Sequence, residues 1–172
     1  SGTIPIEAAL IAKNRAPGLN RDFSAMAWPG FARPVWDAAR EEAQSREFHG
    51  DYRIFASDLD GSAVALAREN ARRAGVEDVV RFEVADAAAF ARQTERGILV
   101  CNPPYGERLG DRAAAEAVYA AFGKACRALS HWKLGILSAH PDFERAFGRE
   151  AEKKRKLYNG MLKCEYYIYP AN

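Results

Sequence analysis

The chain has 172 residues, enough for one domain with a sizeable core. Its 25 Lys and Arg stand against 23 Asp and Glu, so bulk charge carries no general nucleic-acid signal. No apolar run reaches the roughly 18 residues of a membrane span, and no basic-then-apolar leader opens the sequence. Cys101, Cys126 and Cys164 have no metal-ligand spacing and read as buried free thiols, which implies a reducing, cytoplasmic setting with no metal and no membrane.

The sequence begins at Ser1 rather than Met and enters an apolar helix at once, as expected of a fragment of a longer chain. Ile4 to Lys13 is apolar almost all round, a pattern for a helix packed on more than one side, with Thr3 as its N-cap and Pro5 in its first turn. Residues 14–33 are irregular, with Phe23, Trp28 and Phe31 read as packing rather than base platforms. Val35 to Arg46 is a more polar helix.

A strand–helix alternation follows. Arg53 to Ser57 is a strand, and a helix from Gly61 carries the stripe Val64, Ala67, Ala71 and Ala74 before Gly75 ends it. Val79 to Ala85 and Ile98 to Cys101 are further strands. The helix from Arg112 to Leu129 shows the stripe Ala114, Ala117, Val118, Ala121, Phe122 and Ala125. Lys133 to Ala139 is a strand and Pro141 to Gly148 a short helix. Lys153–Tyr158 and Leu162–Tyr169 read as a hairpin joined at Asn159-Gly160. The pattern predicts an α/β fold: a mostly parallel, doubly wound sheet with an antiparallel C-terminal hairpin. A helix opening at Thr3 should follow a central strand, and that first strand is missing from this sequence.

In open α/β sheets ligands sit beyond the carboxyl ends of the strands. Three successive strands here lead to Asp58, Asp86 and Asn102, which can line one crevice. Asp58 suits the two hydroxyls of a ribose, with Asp60 mostly an N-cap of the following helix. Asp86 suits an adenine amino group; the plainer alternative is that it caps the short Ala87–Ala91 turn. Ser1-Gly2-Thr3 forms a Gly turn at a helix N-terminus, whose positive dipole end favours a carboxylate.

Asn102-Pro103-Pro104-Tyr105-Gly106 is the most informative run. Two prolines remove two donors and fix two φ angles, and they push Asn102 toward extended geometry. The resulting corner offers an amide side chain, bare carbonyl oxygens and a flat ring. Those groups can grip the amino group of a planar base and stack on it. The run resembles the Asn-Pro-Pro-aromatic motif of S-adenosylmethionine-dependent methyltransferases that modify amino nitrogens.

The resemblance extends further. Ser1-Gly2-Thr3-Ile4-Pro5-Ile6-Glu7 looks like the end of an Asp-Pro-X-Cys-Gly-Ser-Gly-Thr cofactor motif, and Ser57-Asp58-Leu59-Asp60 like an acidic ribose turn. Asn102 through Glu107-Arg108-Leu109-Gly110 looks like an extended catalytic loop. Ala16-Pro17-Gly18-Leu19, the Trp28 insertion, Lys156, Tyr158-Asn159-Gly160, Leu162 and Cys164 complete the match. Together these resemble the catalytic domain of THUMP-associated RNA methyltransferases, in particular bacterial 23S rRNA guanine-N2 methyltransferases, a group also similar to N6-adenine-specific DNA methylases.

The resemblance implies a Rossmann-like class I methyltransferase fold over residues 1–172, with an RNA-binding THUMP domain upstream. It implies S-adenosyl-L-methionine as cofactor, held by Ser1, Gly2, Thr3, Asp58, Leu59, Asp86, Ala87 and Asn102. It implies catalysis by Asn102, Pro103, Pro104 and Tyr105 on RNA, most closely 23S rRNA. The rival readings are an N6-adenine DNA methyltransferase, which uses the same corner, and a non-catalytic nucleotide- or RNA-binding domain. His49, His131 and His140 read as loop or surface residues. The basic run Lys153-Lys154-Arg155-Lys156 is either a solvated edge strand or a phosphate contact.

Overall fold

The computed structural model describes residues 1–30, 33–91, 94–106 and 111–171. They divide into two compact units, Ser1–Val84 and Ala85–Asn172. Phe31 and the Glu107-Arg108-Leu109-Gly110 end of the extended loop lie outside the described residues.

In the first unit, α1 spans Thr3–Ala12 and α2 Arg33–Ser45, with a short 3-10 turn at Ser24–Ala27 between them. Strands β1 (Ile54–Asp58) and β2 (Val80–Val84) pair in parallel, Ile54 opposite Val80 and Asp58 opposite Val84. The connection between them is α3, Gly61–Ala74, whose stripe Val64, Ala67 and Ala71 is buried as its spacing demands. That stripe packs with Ile6, Ala9, Val76, Val80 and Phe82. Asp60 caps α3 by accepting the Ser62 N–H at 2.8 Å, and Gly75 closes it in the left-handed region.

Two expectations for α1 are corrected. Its N-cap position is Gly2, while Thr3 is the first helical residue and makes no cap bond. And α1 is buried along one face only: Ile6 and Ala9 are covered while Ile4 and Ile11 are exposed. An apolar sequence permits burial on every side, but among the described residues the main packing of this helix in its unit is against α3, β1 and β2. Phe23 stacks on Trp36 at 5.8 Å, a packing role as expected, whereas Trp28 is 60% exposed and departs from it.

The second unit contains β3 (Gly97–Cys101), α4 (Asp111–Cys126), β4 (Trp132–Ser138), α5 (Phe143–Phe147), β5 (Lys153–Asn159) and β6 (Leu162–Tyr169). The strand order is β3-β4-β6-β5, with β3 and β4 parallel and the other two pairings antiparallel. This is the expected parallel arrangement with an antiparallel terminal hairpin. Among the described residues no strand precedes α1, and the strands form two ladders rather than one.

The core of this unit is aromatic. Phe143 stacks on Phe147 at 5.3 Å and meets Tyr167 at 4.6 Å, with Tyr119, Phe122 and Tyr169 around them. The buried face of α4 is Ala115, Tyr119, Phe122, Gly123 and Cys126, not the expected Ala114, Ala117, Val118, Ala121 and Ala125. Phe122 alone is shared. An alanine-rich helix is apolar all round, so the large side chains choose the face. Gly123 seals the choice: a Cβ there would lie 2.0 Å from the Phe147 carbonyl oxygen.

The hairpin turn is also displaced by one residue. Asn159 pairs with Leu162, so Gly160 and Met161 are the central residues, with Gly160 at φ 61°. Strand β5 is an exposed edge, and Lys154 pairs with Glu144 of α5. His140, expected at the surface, is only 2% exposed.

Candidate functional site

The first unit carries the turn Ser1-Gly2-Thr3 and the end of β1. Gly2 adopts φ 78°, a left-handed conformation that disfavours any side chain. The turn also lies against α3, where a Cβ on Gly2 would sit 2.7 Å from Ala67 Cβ. Asn70 Nδ2 donates to the Ser1 carbonyl at 2.9 Å and fixes the turn from α3. Gly2 O accepts the Ile6 N–H at 3.1 Å, so the N–H groups of Thr3 and Ile4 have no helical acceptor. The result is a fixed turn with donors at the positive end of a helix.

Asp58 ends β1 and is exposed. One oxygen, Oδ1, accepts the Asp60 N–H at 3.0 Å, and no hydrogen bond reaches its other oxygen among the described residues. Leu59 is exposed beside it. Asp60 accepts both the Ser62 hydroxyl and the Ser62 N–H, which hold its carboxyl below the usual carboxylate range. That is the capping role expected for it.

In the second unit, Asp86 Oδ1 accepts the Ala88 N–H at 2.8 Å and caps the turn Ala87–Ala89. This is the plainer alternative for Asp86, and it leaves Oδ2 unbonded among the described residues. Ala87 packs on the aromatic core.

The Asn102 corner follows β3. Asn102 and Pro104 are exposed, Pro103 is buried and Tyr105 is half-buried. The Tyr105 hydroxyl donates to Asn102 Oδ1 at 2.5 Å. Burial raises the Tyr105 phenol above its ordinary value, so it is a neutral donor near pH 7; the hairpin residues Asn159 and Cys164 also interact with it. Behind the loop, the Tyr119 hydroxyl donates to the Pro104 carbonyl at 2.5 Å. Tyr119, Ser138 and His140 lie behind the loop, a placement that sequence reasoning missed. A signal existed: Ser138 and His140 follow an apolar strand just as Asp58, Asp86 and Asn102 do.

Cys101 and Cys126 offer no nucleophile, since burial pushes their thiols up to about 11 and about 12. Glu116, His140 and Asp142 each bring a potential metal-ligand atom within 4.8 Å of the others. However, Arg145 Nη2 lies 3.3 Å from Glu116 Oε1 and 3.8 Å from Asp142 Oδ2. His140 Nδ1 accepts the Asp142 N–H at 3.1 Å, which assigns the ring proton to Nε2, 3.7 Å from Glu116 Oε1. A metal ligand needs a bare nitrogen there, so the two carboxylates read as ion-pair partners of Arg145, with the neutral His140 ring beside them. No helix among the described residues is long and apolar enough to cross a membrane.

Comparison with known proteins gives a consistent result. The sequence model of the family described as "RMKL-like, methyltransferase domain" (UPF0020) matches residues 1–168. "Putative RNA methyltransferase YpsC" of Bacillus subtilis is 45% identical over 98% of this chain and 44% of its own length. "Ribosomal RNA large subunit methyltransferase K/L" of Shewanella baltica is 39% identical over 98% of this chain and 25% of its own. The chain thus spans less than half the length of these relatives. The crystal structure of "SMU.472, a putative methyltransferase complexed with SAH" superimposes with a TM-score of 0.95 at 42% identity, covering 99% of this chain and 46% of that one. The Rossmann-like methyltransferase fold expected from the sequence is the fold observed.

Proposed function

Because the chain belongs to the RMKL-like methyltransferase domain family, we propose that it transfers methyl groups from S-adenosyl-L-methionine to an exocyclic amino nitrogen of an RNA base. The finer reading is guanine N2 in 23S rRNA. In that reading residues 1–172 are the catalytic domain of a longer cytoplasmic protein with a THUMP-like RNA-binding region upstream. The observation that carries it is the Asn102-Pro103-Pro104-Tyr105 corner at the end of β3, with its exposed amide.

The residues present fit the cofactor. Thr3 and Ile4 offer unpaired N–H groups to a carboxylate, on a turn where only Gly2 leaves room beside Ala67. Ser1, Gly2 and Thr3 would hold the amino-acid end. Asp58, with its unbonded oxygen, and Leu59 would hold the ribose. Asp86 and Ala87 would take the adenine, and Asn102 the reacting end. When bound, S-adenosylmethionine supplies an electrophilic methyl group on a sulfonium.

An exocyclic amino nitrogen is a poor nucleophile because its lone pair is delocalised into the ring. Asn102 Oδ1 and the Pro103 carbonyl each accept one of its N–H groups. This draws the nitrogen out of the ring plane and stabilises the positive charge it gains in the transition state. Holding the base in line supplies much of the remaining acceleration. The nitrogen loses its proton to water after it is methylated, so no strong base is required. Tyr105 now occupies Asn102 Oδ1. An entering amino group replaces that bond one for one, and the released ring is free to stack on the base, worth about 1–3 kcal/mol.

The test is methylation of ribosomal RNA by the full-length protein with labelled cofactor, followed by digestion to nucleosides. N2-methylguanosine is the expected product. N6-methyladenine formed on DNA instead would favour the rival enzyme, and lack of cofactor binding would favour a non-catalytic domain.

A further inference from the structure

The interior of the second unit holds a column of polar groups among its aromatic side chains. Ser138 and His140, at 1% and 2% exposure, are the two buried polar residues among those described, and Tyr119 beside them is wholly buried. The His140 N–H donates to Ser138 Oγ at 3.1 Å. Ser138 Oγ lies 3.4 Å from Tyr119 Oη, whose own proton goes to the Pro104 carbonyl at 2.5 Å. A phenol has one proton, so the serine hydroxyl donates to Tyr119 and the column points one way, toward the loop. Each donor in such a chain polarises the next.

The loop needs this support because its prolines have no N–H at 103 and 104. Among the described residues, no backbone–backbone hydrogen bond outside the strands reaches residues 103–106. Tyr119 therefore provides the hydrogen bond that holds their main chain. Close packing adds to it, since a Cβ on Gly106 would lie 2.9 Å from Arg112 Cα in α4. We infer that Tyr119, supported by Ser138 and the His140 N–H, is a positioning residue that fixes the direction of the Pro103 carbonyl and the Asn102 amide. The inference rests on the methyl-transfer reading for its effect on rate, but not for its effect on the loop.

The experiment compares Tyr119→Phe, Ser138→Ala and Tyr169→Phe with the wild-type full-length protein. Tyr169 is the control: equally buried in the same core, it donates to the Arg149 carbonyl at 3.3 Å, away from the loop. Turnover is measured on undermethylated ribosomal RNA, cofactor affinity by calorimetry with S-adenosylmethionine, and loop order by the NMR order parameters of the Tyr105 and Gly106 amides. For Tyr119→Phe, kcat falls about 10- to 100-fold while cofactor Kd stays within about twofold. The two order parameters fall from about 0.85 toward about 0.6. Ser138→Ala moves both readouts the same way by less, and carries the test if Tyr119→Phe does not fold. Tyr169→Phe leaves kcat and loop order at wild-type values. Unchanged loop order in Tyr119→Phe and Ser138→Ala overturns the inference, as does an equal loss of kcat in Tyr169→Phe. Lower loop order in a protein whose wild type methylates no RNA supports the brace and overturns the methyl-transfer reading separately.

Discussion

Asp58 and Asn102 each lie at the end of a parallel strand, and their surroundings are built on different principles. Asp58 is exposed and held by its own neighbourhood: its bond is to the N–H two residues on, and Asp60 in turn binds Ser62. Asn102 sits on a loop with almost no local bonding, secured by Tyr119 from α4 and, through Ser138, by the end of β4. A binding turn can be encoded in a few consecutive residues. A loop that must aim acceptors at one nitrogen draws on residues well downstream. The difference teaches where substitutions will be tolerated, and it can be broken at four points.

The largest effect is expected at Asn102. In the full-length protein Asn102→Ala lowers kcat by at least about 100-fold, with calorimetric cofactor affinity unchanged. A loss of only a few-fold would remove the amide from the chemistry. Gly123→Ala strikes the support of the same loop from behind, because its Cβ would meet the Phe147 carbonyl and displace α4 one turn from Tyr119. It should destabilise by about 1–3 kcal/mol in denaturant melts and lower turnover. A variant with full stability would mean that α4 shifts without strain.

Asp58→Ala addresses the other region. Cofactor Kd should rise about tenfold or more, from loss of a charged hydrogen bond, while kcat at saturating cofactor stays near wild type. An unchanged Kd would discard the ribose role. The smallest effect is at Asp60. Its carboxyl is held below the ordinary value by Ser62. The stabilisation is therefore complete above the unfolded-state value of about 4 and fades as pH falls through the lower folded-state value. Asp60→Asn should flatten that part of the acid dependence, read as Tm between about pH 6 and pH 2. An unaltered acid profile would show that the cap contributes nothing to it.

The same division explains what was legible in the sequence. The α/β alternation, the α3 stripe, the Gly75 cap, the Asp60 cap and the bounds of β6 are encoded in short windows, and they were read directly. The buried face of α4 was not, because alanine at 114, 117 and 121 mimics a core stripe. That face is set by the volumes of Tyr119 and Phe122 and by the approach of Gly123 to α5. His140 looked like a loop residue, since nothing in its neighbours reveals that Tyr119 stands 5.5 Å away. The loop itself was visible through Asn102 and its prolines; its support was not.

One further consequence belongs to those prolines. Strand β4 runs to Ser138, yet its ladder with β3 stops at Cys101 opposite Ile136. The last two rungs on that side are missing, like the final teeth of a zip. A residue with an N–H at position 103 could supply a rung and extend the pairing toward Ser138. Pro103 and Pro104 deny it, so the fastener opens at Cys101 and Asn102 turns out of the sheet.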